Sequence, residues 1–206
     1  MSSTPHSVRD DLAYMRSLVD AGDSIQGPFG EAYLAAGVCY ALQIILSAAQ
    51  RAAWLPASEG WSLTIGLAPT AVFLAALVSV IRRHRHAAPM RGVWRAIAAV
   101  FGCIGIANLA LVAVIGSVAV RQHSMTTWLI YPCAVFVEQG AAWLVAFVLL
   151  RRAWLAVVGI GWFAAAIVMA CLIQTTTWFL VAAGIGFVLL MVVPGAVMIR
   201  LARAIA

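Results

Sequence analysis

The stretch that decides the fold runs from residue 153 to 199: AWLAVVGIGWFAAAIVMACLIQTTTWFLVAAGIGFVLLMVVPGAVMI. These 47 residues include no Asp, Glu, Lys, Arg or His. A helix rises 1.5 Å per residue, so about 20 apolar residues cross the ~30 Å hydrocarbon core of a bilayer. The stretch is too long for one crossing and fits two. Gln174, Thr175, Thr176 and Thr177 form its polar patch and mark the turn. Two helices follow, near 153–173 and 178–199. Neither has a polar face to show to water, so lipid is their solvent.

Working outward, four more runs have the same character. The fourth span covers about 126–150 and is broken only by Glu138. The third covers about 93–120 and is uncharged between Arg95 and Arg121. The second, about 61–81, stops at Arg82 and Arg83, and the first, about 32–49, lies between Glu31 and Arg51. The runs are continuous, without the inside/outside alternation of a membrane β-barrel. The expected fold is all-α: a bundle of six transmembrane helices over 31–206, preceded by a short amphipathic helix.

Composition agrees. Of 206 residues, 65% are hydrophobic and 10% charged. Soluble domains carry about 25% charged residues. A soluble enzyme, a disordered chain and a nucleic-acid-binding domain are all excluded on this ground. The net charge of +6 comes from 13 basic residues, all Arg. That usage points to a bacterial genome rich in GC. With six spans, eleven arginines fall on the side of the two termini and two, Arg51 and Arg121, on the other. The positive-inside rule then places both termini in the cytoplasm, in a bacterial inner membrane. Trp54, Trp61, Trp128 and Trp178 stand at outer helix ends, and Trp94 and Trp154 at inner ends, as interfacial belts require.

Residues 1–30 form the segment before the bundle. Ser7 and Asp10 resemble a capping box, and Val8, Leu12, Met15 and Val19 recur at helical spacing. The expectation is a helix over about 7–21, stopped at Gly22 and separated from the first span by a break at Gly27, Pro28 and Gly30. Such a helix either lies on the membrane surface or plugs the bundle, which the composition favours, or docks a partner. No apolar signal region precedes it.

Polarity is costly inside the bilayer, so function is sought there. Glu138 is the one carboxylate deep in a span, and a charged form costs about 3 kcal/mol at that depth on insertion scales. Asn108 lies near the middle of the third span and is its natural neighbour, with Gly105, Ala134, Ala141 and Ala142 offering close approach. Gln139 points about 100° away from Glu138. On the first span Ala32, Ala36, Tyr40, Gln43 and Ser47 form a small or polar stripe. The candidate proton, ion or ligand residues are therefore Glu138, Asn108, Gln43, Tyr40 and Gln139. Pro69, Pro132 and Pro194 can kink the second, fourth and sixth helices. Gly159, Gly161, Gly184 and Gly186 read as helix-packing glycines. Cys39, Cys103, Cys133 and Cys171 lie in separate runs and read as small buried apolar residues.

No histidine lies within a span, which removes bis-His haem ligation, and His84 and His86 read as part of a solvated loop. No cofactor, metal site or catalytic motif is expected. Three functions stay open. One is a transporter- or channel-like protein using Glu138 as a protonatable group. Another is a non-catalytic subunit or sensor. The third is an intramembrane enzyme acting on a lipid-soluble substrate. Expected partners are membrane lipids and either a second copy or another membrane protein, and no nucleic acid.

Overall fold

In lipid a backbone must satisfy its own hydrogen bonds, so each long apolar run closes into a helix. The structure is a computed structural model. It describes the backbone of residues 5–84 and 92–205 and the side chains of 26–84 and 92–204. Its elements are α1 (Pro5–Arg51), α2 (Glu59–His84), α3 (Gly92–Gln122), α4 (Met125–Leu150), α5 (Ala153–Cys171), α6 (Thr176–Phe187), a π-helical turn (Val188–Val192) and α7 (Val193–Ile205). Six spans result, because α6, the π turn and α7 join into one apolar rod. The protein is a multi-pass, all-α integral membrane protein.

Short connections set the topology. Two residues join α3 to α4 and two join α4 to α5, so these neighbours run antiparallel. Ser124 caps α4 by accepting from the Thr127 N–H at 3.2 Å. Arg151 ends α4 in the left-handed region, at φ 53°, with its N–H bonded to the Phe147 carbonyl. Helix α1 occupies the heart of the bundle. It packs against α2 on one flank and against α6, the π turn and α7 on the other. Helix α4 lies between α3 and α5, and α5 closes onto α6. The start of the first span at Gln26, the end of α2, the α4–α5 turn and the end of α7 share one end of the bundle, called here the terminal end.

Two sequence expectations are corrected at the first span. No break separates the amphipathic segment from it. Helix α1 is unbroken through Gly22, Gly27, Pro28 and Gly30. At 1.5 Å per residue its 47 residues reach about 70 Å, more than twice the hydrocarbon core. Pro28 lies inside this helix without ending it. Gly30 is instead a packing point. A methyl group there would meet the Gly195 carbonyl oxygen at 3.0 Å, and one at Gly195 would meet the Leu34 backbone nitrogen at 2.7 Å. Gly37 lies as close to the Val192 backbone. The α1–α7 seam is thus backbone against backbone, which suits association in lipid, where apolar area alone gives no driving force. The apolar face over 7–21 concerns side chains outside the described residues.

Three smaller corrections follow. Trp94 and Trp154 do not form an inner belt. Trp94 is buried, and Trp154 packs on Trp143 at 5.9 Å between ring centres. Trp54, Trp61 and Trp178, by contrast, are exposed near the far end. None of the four cysteines is fully buried, and Cys103 and Cys171 face outward. His84 belongs to the last turn of α2 and approaches Glu31 at 3.7 Å, beside an Arg83–Glu31 pair at 3.4 Å. Gly159, Gly161, Gly184 and Gly186 do sit at close helix contacts.

Candidate functional site

The hairpin of α3 and α4 builds the mid-membrane site. Asn108 and Glu138 fall near the midpoints of two antiparallel helices joined by a two-residue turn. The turn therefore sets them level with one another. Both side chains are half-buried. Asn108 Oδ1, Glu138 Oε2 and Gln139 Oε1 are each enclosed without a hydrogen-bond partner. The two expected neighbours are brought to the same depth, and no hydrogen bond joins Asn108 Oδ1 to Glu138 Oε2. All three orphan atoms are oxygens, so what each lacks is a donor or a cation. An unmet buried acceptor costs about 1–3 kcal/mol. Three of the five unpartnered, enclosed side-chain atoms among the described residues lie on this hairpin.

Close approach at the site comes from different residues than the spacing suggests. Gly105 and Ala141 are exposed, and a methyl at Gly105 would touch nothing within 4 Å. Ala142 is buried. Nearer the turn, a methyl on Gly116 would meet the Trp128 ring at 3.4 Å, an ordinary contact. Glycines were read by spacing, but which face of α3 meets α4 is a tertiary fact.

The α1 candidates serve other contacts. Gln43 Nε2 donates to the Gly66 carbonyl at 3.3 Å, three residues before Pro69, where proline disturbs the helix bonding of α2. Ser47 bonds back to its own Gln43 carbonyl at 2.8 Å. The Tyr40 ring packs between Phe73 and Phe187, at 5.8 and 5.6 Å, and Thr70 stands beside its hydroxyl. Tyr131 on α4 lies within electrostatic reach of both Tyr40 and Glu138. The α3–α4 hairpin thus sets Glu138 and Asn108 at one level. Gln43 belongs to the α1–α2 interface.

Sequence reading missed a second polar centre. Tyr33, 5% exposed, accepts from the Trp143 indole N–H at 2.6 Å and donates to the Leu190 carbonyl at 3.3 Å. Leu190 lies four residues before Pro194, which has no N–H to offer it. The chain answers in two ways. It widens into a π turn, with the Val193 N–H reaching the Val188 carbonyl, and Tyr33 supplies the missing donor. Trp162 is fully buried nearby. Its indole N–H lies near the Tyr33 hydroxyl but falls short of hydrogen-bond geometry. The one available signal was Pro194 itself, whose orphaned carbonyl demands a donor from another helix.

Around Tyr33 an aromatic knot fills the terminal end. Phe29, Phe101 and Trp143 pack edge-to-face on one another, with ring centres 5.0 to 6.5 Å apart. They line a cavity of about 10 Å3, room for about one water. Gln26 and Arg152 lie at its polar rim, joined by a 3.2 Å hydrogen bond. The chain matches no family model, no curated protein and no solved structure.

Proposed function

We propose that this is a transporter- or channel-like protein of a bacterial inner membrane, with both termini in the cytoplasm, and that Glu138 takes up a proton or a small cation midway across. The observation carrying the reading is the set of three enclosed oxygens that lack a donor, one of them a carboxylate, at the middle of α3 and α4. A proton on Glu138 turns one acceptor into a donor and lets the group bond to Asn108. A bound cation satisfies the same oxygens. Ionisable groups at this depth are costly and mark proton or ion paths by default. The membrane orientation rests on the eleven-to-two partition of arginines.

The test compares wild type with Glu138→Gln in sealed vesicles holding a pH-sensitive dye, under an imposed proton or salt gradient. Wild type is expected to carry flux that the variant loses. Equal flux in both removes Glu138 from any transport mechanism.

A second reading, a non-catalytic docking subunit, is favoured by one observation. Helix α1 continues unbroken past the terminal end of the bundle as far as Pro5. No non-helical residue interrupts α1 between this extension and the span. Deleting residues 2–25 is expected to lower the mass of the native complex while leaving vesicle flux unchanged.

A further inference from the structure

Glu138 stands on the boundary between two surfaces of α4. Residues three, four and seven apart share one side of a helix. One turn on from Glu138, Ala142 is buried and Ala141 is exposed, and two turns on Val145 is 40% exposed. Gln139 differs. Phe136, Ala142, Trp143 and Ala146, its neighbours at the same spacings, are all buried. Gln139 therefore lies on the inner side, whereas Glu138 borders the outer stripe of Ile130, Val137, Ala141, Val145 and Val148. That stripe is exposed along α4, which packs on α3 and α5, so in a bilayer it meets hydrocarbon.

The carboxyl group follows the same division. Oε2 is its one enclosed and unpartnered oxygen, and the residue as a whole is only half-buried. Glu138 lies near the middle of α4, about 20 Å from either end at 1.5 Å per residue. An isolated carboxylate beside hydrocarbon either holds a proton or pairs with a cation. A bare metal ion does not arrive through hydrocarbon, because its desolvation is too costly. A positive partner reaching Glu138 along this stripe must carry its own apolar covering. Ala134 and Ala141, a turn before and a turn after on that side, put only a methyl group on either flank of the carboxyl.

We infer that Glu138 receives a lipid-soluble amine directly from the bilayer. This names the ligand class of the mid-membrane site and rests on the transport reading above. The neutral amine approaches as a base. The Glu138 O–H bond breaks, an N–H bond forms, and ammonium and carboxylate remain as a pair. The apolar substituents of the amine stay in lipid beside Ala141 and Val145.

Carbodiimide labelling of the full-length protein in phosphatidylcholine vesicles, read by mass spectrometry, tests this. Dicyclohexylcarbodiimide is lipid-soluble and adds to protonated carboxyl groups. It is expected to label Glu138 at least tenfold more than a water-soluble carbodiimide with glycine ethyl ester, which labels the exposed Glu59 instead. Tributylamine is expected to cut the Glu138 labelling at least fivefold, and sodium chloride to leave it unchanged. Ala141→Trp is expected to cut it as strongly, with thermal unfolding unaltered. Equal labelling by the two reagents, no labelling of Glu138 by the lipid-soluble one, or protection by sodium and not by tributylamine would each overturn the inference. Vesicle flux separates the two ideas. Flux lost in Glu138→Gln with protection by sodium alone sinks the amine and keeps transport, whereas equal flux with amine protection intact sinks transport and keeps the amine site.

Discussion

One hydroxyl, that of Tyr33, joins three helices: its own α1, Trp143 of α4 and the π turn through Leu190. Tyr33→Phe keeps the ring in its aromatic setting and deletes only the oxygen. It leaves an indole N–H and a carbonyl buried and unpaired, at a cost of about 1–3 kcal/mol. Unfolding in detergent is expected to show that loss, and a cycle with Trp143→Phe is expected to show coupling, since each change removes the same bond. Zero coupling would mean the 2.6 Å contact contributes nothing. Glu138 and Asn108 were visible as candidates in the sequence because polarity in an apolar run has no cheap explanation. Tyr33 and Trp143 were not. An aromatic residue in such a run reads equally as core or belt, and its partner 110 residues away is set only by the fold. The test of the candidate site is parallel. If Glu138 holds a proton toward Asn108, Asn108→Leu and Glu138→Gln are non-additive in stability, and strict additivity would place them in separate environments.

At the scale of elements, the spans and their breaks were readable where composition alone decides them. Spans need length and apolarity, which are additive along the chain, and the polar patch at 174–177 places the α5–α6 turn two residues beyond its position at 172–175. Helix faces and seams were less readable. Gly30 looked like a breaker beside Pro28, yet it lies against Gly195 and Met198. Gly105 looked like a packing residue and touches nothing. The same symbol serves both ends, and only the partner helix distinguishes them. Gly195→Ala is therefore expected to destabilise by about 1–3 kcal/mol, because the added methyl meets backbone that cannot yield. Gly102→Ala, with open space around it, is expected to be neutral or to stabilise by up to about 1 kcal/mol through helix propensity. Equal effects of the two would refute the seam. Pro194→Ala restores the N–H that Leu190 lacks. In that background the cost of Tyr33→Phe is expected to shrink, since the carbonyl no longer depends on the hydroxyl.

For the whole molecule, the two ends differ in kind. The far end carries exposed Trp54, Trp61 and Trp178 with only Arg51 and Arg121. The terminal end turns its tryptophans inward and gathers the arginines and the extended helix. An aromatic ring at an interface settles where one side is apolar and the other wet. At the terminal end Trp94 packs on Phe29, and Trp143 on Trp154, instead. That division predicts orientation. In a background with Cys39, Cys103, Cys133 and Cys171 replaced, Ala57→Cys lies in the α1–α2 connection and Ala204→Cys at the end of α7. A membrane-impermeant maleimide is expected to label position 57 in intact cells and position 204 only after permeabilisation. The reverse result would put both termini outside the cytoplasm. A six-helix bundle is fixed by its apolar runs whichever way it points, so labelling from the two sides of the membrane is what reads its direction.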